Sequence, residues 1–445
     1  MNRFSRRTTV LGVGVLTGVL LTTSGCLNGG GGAAQVSDGQ GEVGGNIQIA
    51  WWGGESRNAK TNAVVEMFTE ANPGVTTETQ SADYAQYFNR LNVQAASQSL
   101  PCVVQMQDRQ VNDYTKRQTL MPLDEMVASG AIDTSQIPPA VLDGGRGSDG
   151  KLYFIPYGIA WDALVVNTTL AEETDAGAPP EEWDWPTFVE YLRTAQKGLP
   201  EGKYAAPAGG QLQNTFYAWA VAHGIEVFNA EGKLGFTEAQ LKEFWTMWLE
   251  LQEEGVSLPP DMAAEEPPGA DQGYLATGTT MVGALPGNAL YVASQTLEGT
   301  DSGGELVSRR YPDGPAGIGN ILVASGFGIA ANCDNVPTSA AFIDFFTNDL
   351  EAGVGFAADN GAPTNTAVLE ALTGSDSELP ELKRAELEQY EAIVADNPPK
   401  VNYPPGFNAV FQQSFQRNYN EAAFGRQSVD DAVATFFAET NASLG

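Results

Sequence analysis

One histidine, His223, stands among 445 residues. No histidine-based metal cage can therefore form, and Ser/His or Cys/His nucleophile chemistry would rest on His223 alone. In Ala222-His223-Gly224 it reads as a helix-end or packing residue. Cysteine is nearly as scarce, with only Cys26, Cys102 and Cys333. Three cysteines build neither a disulfide framework nor a CxxC metal site. Cys102 and Cys333 lie in apolar surroundings and read as buried, inert thiols, with a bond between them left open. Lysine occurs nine times against 55 acidic residues, and the formal net charge is -32. Clustered basic residues, which phosphate binding requires, are missing, so nucleic acid is excluded as a partner. GxSxG, P-loop, GxGxxG and HExxH patterns are also missing. The sequence implies no cofactor and no metal.

What is present begins at the N-terminus. Arg6 and Arg7 precede an apolar run from Val10 to Leu21, and small residues lead to Ser24-Gly25-Cys26. A basic start, a short apolar stretch and a small-residue cleavage point make an export signal over residues 1–25. The paired arginines point to twin-arginine export. The run is about a dozen residues, short of the ~20 needed to span a bilayer. Cys26 stands where a lipoprotein signal places its lipidated residue, which predicts a protein anchored to the extracellular face of the membrane. Residues 26–45 are Gly-rich and read as a flexible tether. The remaining chain of about 400 residues is long enough for two domains. Acidic residues are dispersed rather than run together. An acidic, Lys-poor surface of this kind suggests adaptation to high salt and a halophilic source.

Hydrophobic periodicity then alternates between the two regular patterns. Asn46–Trp52 reads as a strand, and Ser56 is placed to cap a helix running to about Ala71. Val75–Gln80 is a second strand, Tyr84–Ser97 a helix, and Cys102–Met106 a buried strand. The fold class is therefore α/β with a largely parallel sheet. Lys151–Leu170 is long, apolar and interrupted by Pro156 and Gly158, as expected of strands crossing between lobes. Further helices follow. Asp184 caps one of them, and Thr237 with Gln240 forms a capping box ahead of another, whose Trp245 and Trp248 lie on a core-facing stripe.

A set of aromatics falls at strand ends and in loops. Trp51 and Trp52 end the first strand, where open α/β sheets bind ligands. Trp161 stands beside Asp162 in the crossing segment, Phe327 between two glycines, and Tyr403 in a Pro/Gly loop. Flat rings with neighbouring amides and carboxylates suit the C–H faces and hydroxyls of sugars.

These residues carry a resemblance. Ile49 to Gly54, Phe68 to Val75, Tyr84 to Leu91, Pro101 to Met106 and Ile155-Pro156 through Val166-Asn167 resemble the extracellular solute-binding proteins of carbohydrate ABC transporters. Trp183 to Phe188, Gly326 to Ile329 and Ala340 to Phe346 fit as well. The chain departs from the family where Pro101-Cys102 replaces a usual Pro-Asp.

The resemblance implies a two-lobed, periplasmic-binding-protein-like fold with hinge strands and a ligand cleft between the lobes. Lobe 1 would comprise 46–160 with 285–350, and lobe 2 161–284 with 351–445. The protein would be a receptor rather than an enzyme, a monomer that closes on a sugar or oligosaccharide and delivers it to permease subunits. Carried over, the family's cleft positions fall on Trp52, Glu55, Arg57, Tyr84, Asp108, Trp161, Asn288, Phe327 and Tyr403, with Trp219 from lobe 2. Aromatics would stack on sugar rings, and Glu55, Arg57, Asp108 and Asn288 would bind hydroxyls. Pro286-Gly287-Asn288 would mark the second crossing. The rival readings are a secreted glycoside hydrolase, a receptor for a non-sugar solute, and an adhesion lipoprotein.

Overall fold

The computed structural model describes residues 36–444, apart from 268, 301–302, 408–410 and 412. The expected export signal and Cys26 lie outside the described residues. Among the described residues, eight strands form one curled sheet: β1 (Gly45–Trp52), β2 (Val75–Ala82), β3 (Val103–Gln107), β4 (Ile155–Asn167), β5 (Val282–Pro286), β6 (Leu306–Arg309), β7 (Leu322–Ile329) and β8 (Ala362–Pro363). The order is β2-β1-β3-β7-β4-β5, with β6 and β8 also paired to β4. The β2-β1-β3 end is parallel, as the strand–helix alternation requires, but every other pairing is antiparallel, so the sheet as a whole is not the largely parallel one expected: β4 and its partners are joined by long connections that bring the strands back in the opposite direction.

β4 belongs to two layers. Its first half, Ile155–Trp161, pairs with β7, and its second half, from Asp162, pairs with β5 and β6. The side chains follow this division. Trp161 packs into one large apolar core with β1, β3 and β7, whereas Leu164 and Val166 enter a second core. The crossing expected in Lys151–Leu170 therefore falls between Trp161 and Asp162. The strand shifts register at Pro156/Gly158, where a proline without an N–H interrupts the ladder. Gly326 lets β7 lie close beside it: a Cβ there would come 2.0 Å from the Ile155 carbonyl oxygen.

The two cores divide the chain close to 160, but not at 285 or 350. After β5, Leu290, Ala293 and Leu297 pack with Val165 and Leu306, and Tyr311 and Ile321 enter the second core. Ile318 already touches the first core, and the buried residues rejoin it with β7. Phe356, Leu369, Leu387, Tyr390 and Ile393 stay in the first core, so 351–395 does not join the second. The second core resumes at Val401. There are thus three crossings, at Trp161/Asp162, ahead of Leu322, and over 396–400. Pro286-Gly287-Asn288 is not one of them.

Local signals hold in part. Asp184, and Thr237 with Gln240, cap their helices as expected. Trp245 and Trp248 are buried. His223 ends the helix Gln213–Ala222, with Nδ1 2.7 Å from the Trp219 carbonyl oxygen. Ser56 does not cap. The helix Glu55–Ala71 starts one residue earlier without a side-chain cap, and Ser56 Oγ donates to Asp359 Oδ2 at 2.9 Å. The end of the expected tether is laid on the first lobe: Ser129 Oγ donates to the Asp38 carbonyl, and Gly44 exchanges bonds with Thr338 and Asn335. Cys102 and Cys333 are not free thiols but a disulfide joining the start of β3 to the turn after β7. Among the described residues, the one grouping of potential metal ligands is these two cysteines with Asp334, and the disulfide occupies both sulfurs. No helix among the described residues is long and apolar enough to cross a membrane.

Candidate functional site

The sheet order brings the carboxyl end of β3 against the crossing point of β4. The helix Asp108–Thr115 starts directly after β3, so Asp108 and Arg109 are carried to the junction of the lobes without an intervening loop. From the second lobe the helix Gln213–Ala222 supplies Asn214 near its first turn. Arg109 Nη2 donates to Asn214 Oδ1 at 3.2 Å, and Asn214 Nδ2 donates to Asp162 Oδ1 at 3.1 Å. One carboxamide thus reads a cation from one lobe and a carboxylate at the crossing, with both of its groups used in the sense their chemistry demands. Asp162 is itself fixed through its backbone, because Asn320 Nδ2 donates to the Asp162 carbonyl at 2.6 Å. Asn320 Oδ1 accepts from the Tyr311 N–H.

Two cavities adjoin this relay. The first, about 230 Å³, is lined by Arg109, Asp162, Gln211 to Thr215, Ala284, Pro286, Tyr311 and Gln416. The second, about 480 Å³, lies between Asn112 and the 143–150 segment on one side and residues 229–232 and 400–405 on the other. Arg109 lines the first and Tyr403 the second, and the guanidinium sits 5.7 Å above the Tyr403 ring. The lobes are tied along the same edge by Asn112 Nδ2 donating to the Tyr403 carbonyl at 2.7 Å and by Gly406 N–H donating to Asp113 Oδ1 at 2.8 Å. Lys400 Nζ donates to the carbonyls of Asp143 and Arg146.

Burial is the largest influence on the titrating groups here. Asp108 is pushed up to about 6 by burial, against the pull of the Arg109 guanidinium and the Ala324 N–H. Its Oδ2 accepts from Ala324 N–H at 3.1 Å, while Oδ1 is buried without a partner. Asp162 is also raised by burial, and Arg109 and Asn214 oppose the shift. Burial lowers Lys400.

The sequence-derived positions divide sharply. Asp108 and Tyr403 come together around Arg109. Tyr84 is 39% exposed, and its hydroxyl donates to Gln107 Oε1 at 2.9 Å, one residue before Asp108. Glu55 is exposed at the start of its helix. Arg57 is not aimed at the cleft but holds Asp359, through Oδ1 at 3.2 Å and the carbonyl at 2.9 Å. Asn288 uses its carbonyl to accept from Lys383 Nζ at 3.0 Å.

The expected aromatic platform is core instead. Trp52, Trp161, Trp219 and Phe327 are each 5% exposed or less. Trp52 packs among Tyr84, Tyr87 and Phe88, and Phe327 among Tyr157, Phe342 and Phe346. Trp219 lies against Phe216 and His223. Trp161 donates from Nε1 to Gln389 Oε1 at 2.9 Å and packs on Tyr390. Tyr403 is also buried, packed on Phe407. Sequence reasoning missed Arg109, Asn214, Tyr311, Gln211 and Gln213. The available signal was the polar run that opens at Gln107, immediately where a fully buried strand ends.

The model of the family described as bacterial extracellular solute-binding protein matches residues 52–350. Solved structures share the fold. An extracellular solute-binding protein family 1 member from Alicyclobacillus acidocaldarius is 24% identical at a TM-score of 0.73, covering 91% of this chain and 100% of that one. A periplasmic oligogalacturonide-binding protein from Yersinia enterocolitica, in complex with saturated digalacturonic acid, is 19% identical at a TM-score of 0.73, covering 91% and 99%. The GacH receptor of Streptomyces glaucescens, solved unliganded and with acarbose, is 17% identical at a TM-score of 0.69, covering 91% and 99%.

Proposed function

The chain belongs to the bacterial extracellular solute-binding proteins, and we propose that it captures an oligosaccharide between its lobes and delivers it to the permease of an ABC importer. The observation that carries this reading is the Arg109–Asn214–Asp162 relay. It bridges the lobes beside two cavities lined largely by amides, hydroxyls and backbone. Such groups suit many hydroxyls at once, and a bridge between lobes at the ligand site couples binding to hinge closure. Neighbours of the same fold that hold digalacturonic acid and acarbose support a saccharide.

In this reading the ligand-binding residues are Arg109, Asp162, Asn214 and Tyr311, joined by Asp108, Tyr84 and Tyr403, with Glu55 and Asn288 at the periphery. The protein is a monomeric receptor and not a catalyst. Export by the twin-arginine route and lipidation of Cys26 would hold it at the extracellular face, where the permease would meet the closed form. The test is thermal unfolding of the chain with a panel of mono- and oligosaccharides. Ligand at a hundred times its dissociation constant adds about 2.7 kcal/mol, a shift of a few degrees at this size. A selective shift with the sugar recovered intact is the expected result. No shift across the panel overturns the sugar, and a cleaved sugar overturns the receptor.

A further inference from the structure

We propose that the cleft takes an uncharged, hydroxyl-rich ligand and rejects its carboxylated counterpart, so that its substrates are neutral oligosaccharides rather than uronides. This rests on the oligosaccharide reading above and narrows it.

A carboxylate entering a closing cleft loses its water and needs a cation in exchange. The cations lining the two cavities are already engaged. Arg109 binds Asn214 and lies over Tyr403, within the field of Asp162 and Asp108. Lys400 is held by two carbonyl oxygens, at 2.7 and 3.0 Å. Arg146 spans Asp124 at 3.0 Å and Asp143 at 2.8 Å. On the acidic side, Asp162 lines the smaller cavity, and Asp143 and Glu231 line the larger. An arriving carboxylate would meet spoken-for cations and a surplus acid, whereas a hydroxyl meets acceptors.

The acceptors are a second, independent observation. Gln211 and Gln213 line the smaller cavity and are 6% and 8% exposed. Each keeps its Oε1 buried without a hydrogen-bond partner. Gln211 Nε2 donates to the Ala263 carbonyl at 3.3 Å, which fixes its oxygen as the atom left over. An orphaned buried acceptor is costly until a donor arrives. A sugar hydroxyl donates; an ionised carboxylate cannot. Exchanging a hydroxymethyl group for a carboxylate would thus remove a donor and add an unpaired charge together.

The experiment is calorimetric titration of the full chain with neutral di- to tetrasaccharides and with uronic-acid oligosaccharides of equal length, in molar salt. There the Debye length is about 3 Å, so the repulsion of the whole acidic protein is screened and the local site decides. A neutral member should bind on the order of 100-fold more tightly than the uronide of its length. Asp162→Asn should narrow that ratio about tenfold, whereas a purely structural loss would weaken both ligands alike. If that variant does not fold, Gln213→Leu should weaken the neutral ligand about tenfold and leave the uronide where it was. A uronide bound as tightly as its neutral partner overturns the proposal and leaves the oligosaccharide reading standing. Silence from both series overturns the oligosaccharide reading, and this one with it.

Discussion

Arg109, carried at the end of β3 in one lobe, donates to Asn214 in the other at 3.2 Å, and Asn214 passes the contact on to Asp162 at the crossing point of β4. The link joins residues of the two lobes, so it should favour their closed arrangement. A hydrogen bond to a charged group contributes about 1.5–3 kcal/mol. Asn214→Ala should therefore weaken saccharide binding by roughly 10- to 100-fold. The unliganded variant should show a larger radius of gyration by small-angle scattering. Unchanged affinity with unchanged dimensions would mean that the relay is incidental to closure.

Asp108 gives a pH signature whose sign follows from its burial. Its carboxyl is raised from 3.8 to about 6 in the folded protein. Between those values the native state holds a proton that the unfolded chain has released. Stability from this group therefore grows as pH falls through 6 and is complete below the unfolded value. Above 6 the buried charge is a cost of about 2–3 kcal/mol at one pKa unit per 1.36 kcal/mol. Asp108→Asn should be more stable than the parent at pH 7.5, and the advantage should close near pH 4. Urea unfolding at the two pH values measures it. A gap independent of pH would remove Asp108 as the titrating group.

How much of this was legible in the sequence depends on which physical signal each feature leaves. The parallel end of the sheet was readable because strand and helix alternate in period from Asn46 to Met106, and the crossing because Pro156 and Gly158 interrupt a long apolar run. Lobe boundaries were not readable, since Leu290 and Phe356 look equally apolar in sequence and only packing says which core each joins. The aromatics misled for a related reason. A ring at a strand's end faces either cleft or core, and periodicity does not choose. Gly287 settles one case, because a Cβ there would stand 1.8 Å from Trp161 Nε1, and its absence makes the space that buries the indole. Arg109 was passed over for its more conspicuous neighbour Asp108.

That correction is itself testable. Phe327 is enclosed by Tyr157, Phe342 and Phe346, so Phe327→Ala should cost about 3–5 kcal/mol of stability. Below its unfolding temperature it should bind saccharide as the parent does. Tyr84→Ala should lean the other way, since the ring is 39% exposed beside Gln107 and only its inner edge rests on Trp52 and Phe88. Its stability should fall less than that of Phe327→Ala, and its affinity should fall. Reversal of the two results would restore Phe327 to the site.

The disulfide separates stability from binding in another way. Cys102 and Cys333 stand 231 residues apart in sequence, and their bond pins the start of β3, whereas Arg109 follows its carboxyl end. Cross-links that close long loops restrict the unfolded chain most, and losing a native one typically costs 2–5 kcal/mol. Cys102→Ser with Cys333→Ser should therefore lower the unfolding temperature of the chain by several degrees. Because β7 pairs with β3 along its whole length, with β1 adding Val103 and Val104, the cleft end should keep its geometry, and saccharide affinity at low temperature should match the parent's. A variant with native stability would show that the bond adds nothing the sheet does not already supply. A variant that folds but has lost affinity would show that the bond also positions the cleft end of β3.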